Sequence, residues 1–229
     1  MSELPSDEAQ LMYAFAHDLR SCLRTMQTRV QLVQRTAATL MPEQENRWLG
    51  EANAAGENMS RLIGAMVQYY GVAPSPETMN IALLLRGLRI DVKETLDAAG
   101  AELSIAESES GIAVSLSLSA VLRELVVNSC KFRSADARPE IRITSRMRDA
   151  NTVEVQVLDN GSGVAAEYRE TIFQPFRRMH SGHEYPGFGL GLALCRRMVA
   201  ANGGSMEAAP SPAGGLSVLV ALPAFRDDN

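Results

Sequence analysis

The chain has 229 residues, of which 46% are hydrophobic and 21% charged, and its formal net charge is −5 at pH 7. This composition suits a folded protein of one or two domains and excludes a mainly disordered chain. The acidic balance argues against nucleic acid as a partner, because binding to nucleic acid draws on clustered positive charge.

The N-terminal segment and the cysteines favour a cytoplasmic protein. MSELPSDEAQ is acidic and polar, whereas a secretory signal is basic and then apolar. No window approaches the roughly 18 uncharged apolar residues that cross a bilayer, so no membrane contact is expected. Cys22, Cys130 and Cys195 lie in apolar helical patterns without C-x-x-C spacing, which predicts reduced core residues.

Two long amphipathic helices are predicted first. Apolar residues recur at steps of three and four from Met12 to Leu40 and again from Trp48 to Tyr69, with Pro42 between the two patterns. Such helices form an antiparallel hairpin, which cannot enclose a core by itself. We therefore expect a homodimer in which two hairpins form a four-helix bundle. An intramolecular helix pair that rests on the rest of the chain is the alternative.

A linker and a mixed second domain follow the hairpin. The hairpin is assigned to residues 1–70, and GVAPSPETMN, residues 71–80, predicts a linker because its glycine and prolines interrupt both periodicities. Residues 81–229 combine helical stretches with short alternating runs, and this order predicts an α+β fold with helices on one face of a sheet. The predicted helices are Leu85–Ala98, Ala120–Phe132, a short one near Ala166–Ile172 and one ending near Ala201. The predicted strands are Ala101–Ala106, Ile112–Leu116, Glu140–Arg146, Thr152–Leu158, Ser205–Ala208 and Leu216–Leu222.

His17 is a candidate phosphoryl acceptor on the first predicted helix. It points about 200° away from its apolar neighbours on either side and is expected to face solvent. Asp18 can accept a proton from one imidazole nitrogen and leave the other as a nucleophile, while Arg20 and Arg24 supply positive charge for a phosphate. A lone exposed histidine without a function is the alternative.

One face of the helix in RELVVNSCKFR, residues 123–133, combines Glu124, Asn128 and Lys131. An amide or carboxylate oxygen can ligate Mg²⁺ and a lysine offsets phosphate charge, so this face suits a magnesium nucleotide. A solvated helix face above a buried apolar side is the alternative.

In VQVLDNGSGV, residues 155–164, a strand-like run ends at Asp159 and is followed by Gly161 and Gly163. Asp159 can accept a hydrogen bond from the exocyclic amine of adenine, and the glycines let the backbone approach the base. An ordinary hairpin turn has the same pattern.

EYPGFGLGLALCRRM, residues 184–198, places three glycines directly before a helical pattern. No strand precedes them and their spacing is G-x-G-x-G, so neither a dinucleotide-binding fold nor a P-loop fits. A glycine hinge remains, which leads into a helix whose first amides can receive phosphates, with Met179–Tyr185 as a mobile cover. His180 and His183 in that cover are expected to be solvated, because two histidines without a third ligand are weak evidence for zinc.

Taken in order, five segments resemble the H, N, G1, F and G2 boxes of the sensor histidine kinases of two-component signalling: HDLRSCLR, ELVVNSCKF, DNGSG, IFQPF and GFGLGLALC. The likeness covers about residues 10–223, and KFR and RMHSGHEYPGFGLGLALCRRMV are similar to the phytochrome-type members. It implies a dimeric helical hairpin followed by a Bergerat-type α/β sandwich that binds ATP. It also implies a protein-histidine kinase that depends on ATP and Mg²⁺.

The resemblance implies that His17 is the phosphorylated residue and that Asp18 orients it. The phosphoryl group would then pass to an aspartate of a response-regulator receiver domain. Cys22 stands where the family commonly has a proline that bends the first helix, a departure that bears on the bend and leaves catalysis intact. No sensor module fits before His17, so either a sensor protein acts in trans or the chain is an excised core.

The resemblance implies further roles in the second domain. Asn128 would ligate Mg²⁺ with Glu124 beside it, Lys131 and Arg133 would hold phosphates, and Asp159 would receive the adenine amine. The residues implied to shape the pocket or to anchor its lid are Gly161, Gly163, Gly187, Gly189, Gly191, Phe173 and Phe176.

Two other functions stay open. A phosphotransfer scaffold with a weak or vestigial ATP domain would keep the hairpin, but it would have no chemical need for Asn128, Asp159 and the glycine segment. An ATPase of the same superfamily that acts on serine or as a conformational clamp would have no need for His17 and Asp18 on the outside of a helix.

Overall fold

A computed structural model of the chain describes residues 7–37, 40–106, 108, 111–135, 137–179 and 187–226. The chain divides into two compact units, Met1–Gly71 and Val72–Asn229. Most of the predicted cover, including His180 and His183, lies outside the described residues. Within the described ranges, no helix has the length and apolar character needed to cross a bilayer.

The first unit is a hairpin of two helices, α1 (Asp7–Ala37) and α2 (Glu43–Tyr70). Its buried centre is formed by Ala16, Leu23 and Ile63. The predicted helical hairpin is therefore confirmed.

The two helices contact each other through positions next to the predicted apolar stripes. Ala16 is 1% exposed, whereas Phe15 beside it is 53% exposed. Close approach favours small residues at the contact: a Cβ on the buried Gly56 would lie 3.0 Å from Gln27 Cγ. Larger apolar residues of the predicted stripes consequently face outward, and Cys22, which was expected in a core, is among them. These exposed residues are Phe15, Cys22, Met26, Val33, Trp48 and Met59.

The second unit is an α/β sandwich. Its elements in chain order are β1 (Thr78–Asn80), α3 (Ile81–Asp91), α4 (Lys93–Ala99), β2 (Glu102–Ile105), β3 (Ile112–Ser115), α5 (Ser117–Lys131), β4 (Glu140–Asp149), β5 (Thr152–Asp159), α6 (Gly191–Ala201), β6 (Ser205–Pro210), β7 (Leu216–Pro223) and β8 (Phe225–Arg226). The main sheet has the order β2-β4-β5-β7-β6, in which only β2 and β4 pair in parallel, and β1-β3-β8 form a small antiparallel sheet.

Each predicted strand corresponds to an observed strand. The structure differs from the sequence-based prediction in three other segments. The stretch Leu85–Ala98 forms two helices, α3 and α4, which are divided at the buried Val92. The short helix predicted near residue 166 is a pair of 3₁₀ turns, Ala166–Tyr168 and Thr171–Phe173. Strands β1 and β8 were not predicted, because two or three residues carry no readable alternation. Strand β1 lies inside the predicted linker, residues 71–80.

Helices α5 and α6 cover one face of the main sheet, as predicted. In β5, Val153, Val155 and Val157 alternate with Glu154 and Gln156, and the three valines belong to the same buried cluster as the apolar sides of α5 and α6. On the opposite face of β5, Glu154 pairs with Arg146 on β4 at 2.7 Å. Contacts of Ser129 with Asp159, of Gly191 with Glu124 and of Gly187 with Lys131 place the end of β5, α5 and the start of α6 at the same part of the unit.

Candidate functional site

Asp159 ends β5 and is held by three hydrogen bonds. Its Oδ1 accepts from the backbone N–H of Gly161 and of Leu216, both at 2.9 Å. Its Oδ2 accepts from the hydroxyl of Ser129 on α5, also at 2.9 Å. A carboxylate has about four acceptor positions, so these bonds fix the group and leave capacity for one further donor such as an exocyclic amine.

Close packing of the backbone around Asp159 requires glycine at two positions. A Cβ on Gly161 would overlap the carbonyl oxygen of Phe132, and a Cβ on Gly215 would overlap both the carboxylate and the carbonyl oxygen of Asp159. Gly163 has a φ of +67°, which favours glycine. Sequence reasoning selected Gly161 and Gly163 and missed Gly215 and Ser129. The only signal for Gly215 is the Gly-Gly pair before β7.

The predicted face of α5 is half-buried. Asn128 donates from Nδ2 to Glu124 Oε1 at 3.2 Å across one helical turn. This bond fixes the amide, so that Asn128 Oδ1 is the atom that can ligate a cation. Within the described part of the chain, no group of three or more His, Cys, Asp or Glu side chains could hold a metal ion. A bound Mg²⁺ would therefore depend on Asn128, water and phosphate oxygens.

The glycine segment contacts this face of α5. A Cβ on Gly191, the first residue of α6, would overlap the carboxylate of Glu124 and lie 2.9 Å from its Cδ. A Cβ on Gly187, which has a φ of +142°, would lie 3.3 Å from Lys131 Nζ. Two motifs that are some 60 residues apart in sequence thus meet at the start of α6, where helix N–H groups favour an anion.

Lys131 lies in a partly desolvated, basic environment. Burial lowers the pKa of its ammonium group, and the nearby charge of Arg178 lowers that pKa further, while Glu124 raises it. An anionic phosphate would relieve the repulsion between the two cations. Sequence reasoning missed Arg178, whose only signal was its place in a basic pair with Arg177.

Arg133 is not part of the pair formed by Lys131 and Arg178, although it was predicted to hold phosphates together with Lys131. Its guanidinium donates from Nη1 to the carbonyl oxygen of Ala99 at 3.2 Å. Ala99 ends α4, and carbonyl groups at a helix C-terminus attract cations.

The two phenylalanines predicted to anchor the lid differ in burial and in contacts. Phe173 is 4% exposed, and the guanidinium of Arg196 lies 5.2 Å from its ring centroid. Phe176 is 50% exposed, so its ring is not an anchor. Its backbone instead adopts a φ of +63° and donates its N–H to the carbonyl oxygen of Gly189 at 2.9 Å. This conformation is uncommon for a bulky residue and fixes the approach of the glycine segment.

His17 lies on the outer side of α1 in the first unit. Its Nδ1 is 3.2 Å from Asp18 Oδ1, and both side chains are 84% exposed. The adjacent Ala16 is buried in the hairpin. A proton shared between Nδ1 and Asp18 leaves Nε2 with its lone pair directed to solvent, which is the arrangement of an accessible nucleophile.

Comparisons with known proteins relate the chain to a family of ATPases and to signalling proteins. Residues 113–226 match the family described as histidine kinase-, DNA gyrase B- and HSP90-like ATPase. Phytochrome-like protein Cph1 of Synechocystis sp. is 26% identical over 222 residues, which cover 95% of this chain and 29% of that protein. Signal transduction histidine-protein kinase/phosphatase MprB of Mycobacterium ulcerans is 29% identical over 229 residues, which cover 94% of this chain and 43% of that protein.

A solved structure shares the fold over both units. Full-length ShkA in complex with AMPPNP matches with a TM-score of 0.71 and 21% identity, over 95% of this chain and 46% of that chain. The chain spans less than half the length of each of these three proteins.

Proposed function

Because this chain belongs to the sensor histidine kinases and comprises their catalytic core, we propose that it transfers the γ-phosphoryl group of ATP to His17. The observation that carries the proposal is the exposed contact between His17 and Asp18. A clamp or a serine-directed ATPase would have no need of a nucleophile prepared in this way.

The residues of the second unit fit ATP with Mg²⁺. Asp159 would accept the adenine amine, because its carboxylate is fixed and retains acceptor capacity. Asn128 Oδ1 would ligate Mg²⁺, with Glu124 as the positioning residue that holds the amide. Lys131 and Arg178 would hold phosphate oxygens. When bound, the magnesium nucleotide supplies the phosphoryl group.

In the transfer step, Nε2 of His17 attacks the γ-phosphorus in line with the leaving oxygen. A bond forms between nitrogen and phosphorus, the bond to the bridging oxygen breaks, and ADP leaves. Asp18 holds the proton on Nδ1 and stabilises the positive charge that develops on the ring. The phosphoryl group would then pass to an aspartate of a response-regulator receiver domain.

The exposed apolar residues of the hairpin support a homodimer. Phe15, Met26, Trp48 and Met59 are each more than half exposed, and they recur at helical spacing on the two helices. A second hairpin would bury these residues in a four-helix bundle.

The test is incubation of the chain with γ-labelled ATP and Mg²⁺. The wild type is expected to acquire label that is labile in acid and stable in alkali, as a phosphorus–nitrogen bond is. His17→Ala and Asn128→Ala are expected to lose it, the first with ATP binding retained. Wild-type chain that binds ATP but stays unlabelled would contradict the proposal and favour a scaffold. Back-transfer from a phosphorylated receiver to His17 would then be measured.

A further inference from the structure

Asn202 directly follows α6, and both polar atoms of its side-chain amide form hydrogen bonds. Oδ1 accepts from the backbone N–H of Ser75 at 2.9 Å and from the hydroxyl of Ser115 at 3.0 Å. Nδ2 donates to Ser117 Oγ at 3.1 Å and to the carbonyl oxygen of Met198 at 2.8 Å. Because a carbonyl can only accept, the bond to Met198 fixes the orientation of the amide and directs Oδ1 to Ser75.

The amide of Asn202, which holds Ser75, is itself anchored in the second unit through Ser115 and Ser117. Ser115 is 6% exposed, and its hydroxyl is 2.8 Å from that of Ser117 at the junction of β3 and α5. The backbone N–H of Ser117 also donates to Ser115 Oγ at 3.3 Å. Networks in which every polar group is satisfied are rigid. Ser75 is therefore tied to a fixed point, although it lies in the segment that sequence reasoning treated as a linker.

This bond shortens the chain that is free between the two units. Gly71 closes α2, because its N–H donates to the carbonyl oxygen of Val67 at 2.9 Å, so three residues, 72–74, lie between it and the fixed Ser75. Without the bond the next fixed point is Glu77, whose carbonyl oxygen accepts from Leu116 N–H at 2.9 Å, and five residues, 72–76, would be free. At about 3.4 Å per residue, the maximum reach would rise from roughly 14 Å to roughly 20 Å.

We propose that Asn202 is a positioning residue for phosphoryl transfer, because its bond to Ser75 sets the length of the tether on which the ATP domain moves relative to His17. The inference rests on the proposed function. Helix α6 begins with Gly191 against Glu124 and is followed directly by Asn202, so one helix joins the nucleotide site to the tether. The wild-type tether already permits transfer under the proposed function, so lengthening it lowers the effective concentration as about the −3/2 power of its length, and a change from about four to about six Cα–Cα steps slows transfer about twofold.

The test separates tether length from simple loss of structure. Single-turnover transfer is measured at saturating ATP in the full chain, beside ATP affinity. Asn202→Ala is expected to slow transfer about twofold at unchanged affinity. Ser117→Ala, the matched control, removes one partner of Asn202 and keeps its bond to Ser75, so its rate is expected to stay at the wild-type value.

Insertions on either side of Ser75 provide a readout that a purely structural role would not move. Gly-Ser-Gly inserted after Val72 lengthens the tether and is expected to slow transfer about twofold. The same insertion after Pro76 lies beyond the fixed point and is expected to have no effect. In the Asn202→Ala background the two insertions are expected to become equivalent. Equal slowing by both insertions in the wild type, or an unchanged rate in Asn202→Ala, overturns the inference.

Hydrogen exchange distinguishes failure of this inference from failure of the proposed function. Ser75 stands between Pro74 and Pro76, so its backbone N–H is isolated from neighbouring amides. It is expected to be protected in the wild type and in Ser117→Ala and to exchange freely in Asn202→Ala. Free exchange in the wild type overturns the inference whatever the kinase activity, whereas absence of wild-type label with a protected Ser75 contradicts the proposed function alone.

Discussion

Replacement of Asp159 by asparagine is expected to weaken ATP binding strongly while the fold is retained. Oδ1 of Asp159 accepts from two backbone N–H groups, those of Gly161 and Leu216. In Asp159→Asn the amide oxygen would occupy this position, since an amide nitrogen there would oppose both donors. The amide nitrogen would then stand in place of Oδ2 and present a donor to the adenine amine.

The magnitude follows from the bond that is lost. A hydrogen bond to a charged group contributes about 1.5–3 kcal/mol. Since about 1.4 kcal/mol corresponds to a factor of ten, the dissociation constant for ATP is expected to rise about 10- to 150-fold. Ser129→Ala keeps the carboxylate, both of its backbone bonds and its capacity to accept from adenine, and it removes only a bond that orients the carboxylate, so a smaller rise of roughly two- to tenfold is expected.

The assay is calorimetric titration with a non-hydrolysable ATP analogue, and the same titration with the GTP analogue serves as a selectivity control. Guanine carries a carbonyl oxygen where adenine carries its amine, so the wild type should prefer ATP and Asp159→Asn should narrow that preference. Binding of ATP by Asp159→Asn within twofold of the wild type would refute the assignment. Equal loss of both nucleotides together with a lowered melting temperature would also refute it.

Three other variants test the remaining contacts. Gly191→Ala is expected to displace Glu124 from Asn128 and to lower the phosphorylation rate at least tenfold at an unchanged melting temperature, and an unchanged rate would contradict that contact. The pKa of Lys131 is lowered from 10.5, so its ammonium group loses its charge, and ATP affinity is expected to fall, as pH rises through that lowered pKa. Lys131→Arg keeps its charge over the same pH range, so its ATP affinity should not fall. Met26→Glu is expected to shift sedimentation towards the monomer, whereas Thr28→Glu on the opposite side of α1 should leave the dimer intact.

Sequence periodicity located the helices and the strands of the main sheet but not the surfaces that cover them. On α1 the apolar stripe through Phe15 and Met26 was identified, yet the hairpin contact uses Ala16 and Leu23. Periodicity shows which side of a helix is apolar, and it carries no information about which neighbour covers that side.

In the candidate site, too, some residues could be predicted from the sequence and others could not. Asp159, Asn128 and Gly191 were predicted because each stands in a motif whose chemistry can be read locally. Ser129 and Gly215 were missed, since they act through contacts with Asp159 across 30 and more residues, which leave no periodic signal. The sequence also carries no local signal that the guanidinium of Arg133 donates to Ala99 at the end of α4.

Identification of the phosphorylated atom tests the central claim most directly. The chain is phosphorylated with ATP and Mg²⁺, digested at alkaline pH and sequenced by tandem mass spectrometry, and the intact phosphoprotein is examined by ³¹P NMR. The account predicts one phosphoryl group on the imidazole of His17. A phosphoryl group on the nearby hydroxyl of Ser21 or Thr25, or on no residue of α1, would contradict it.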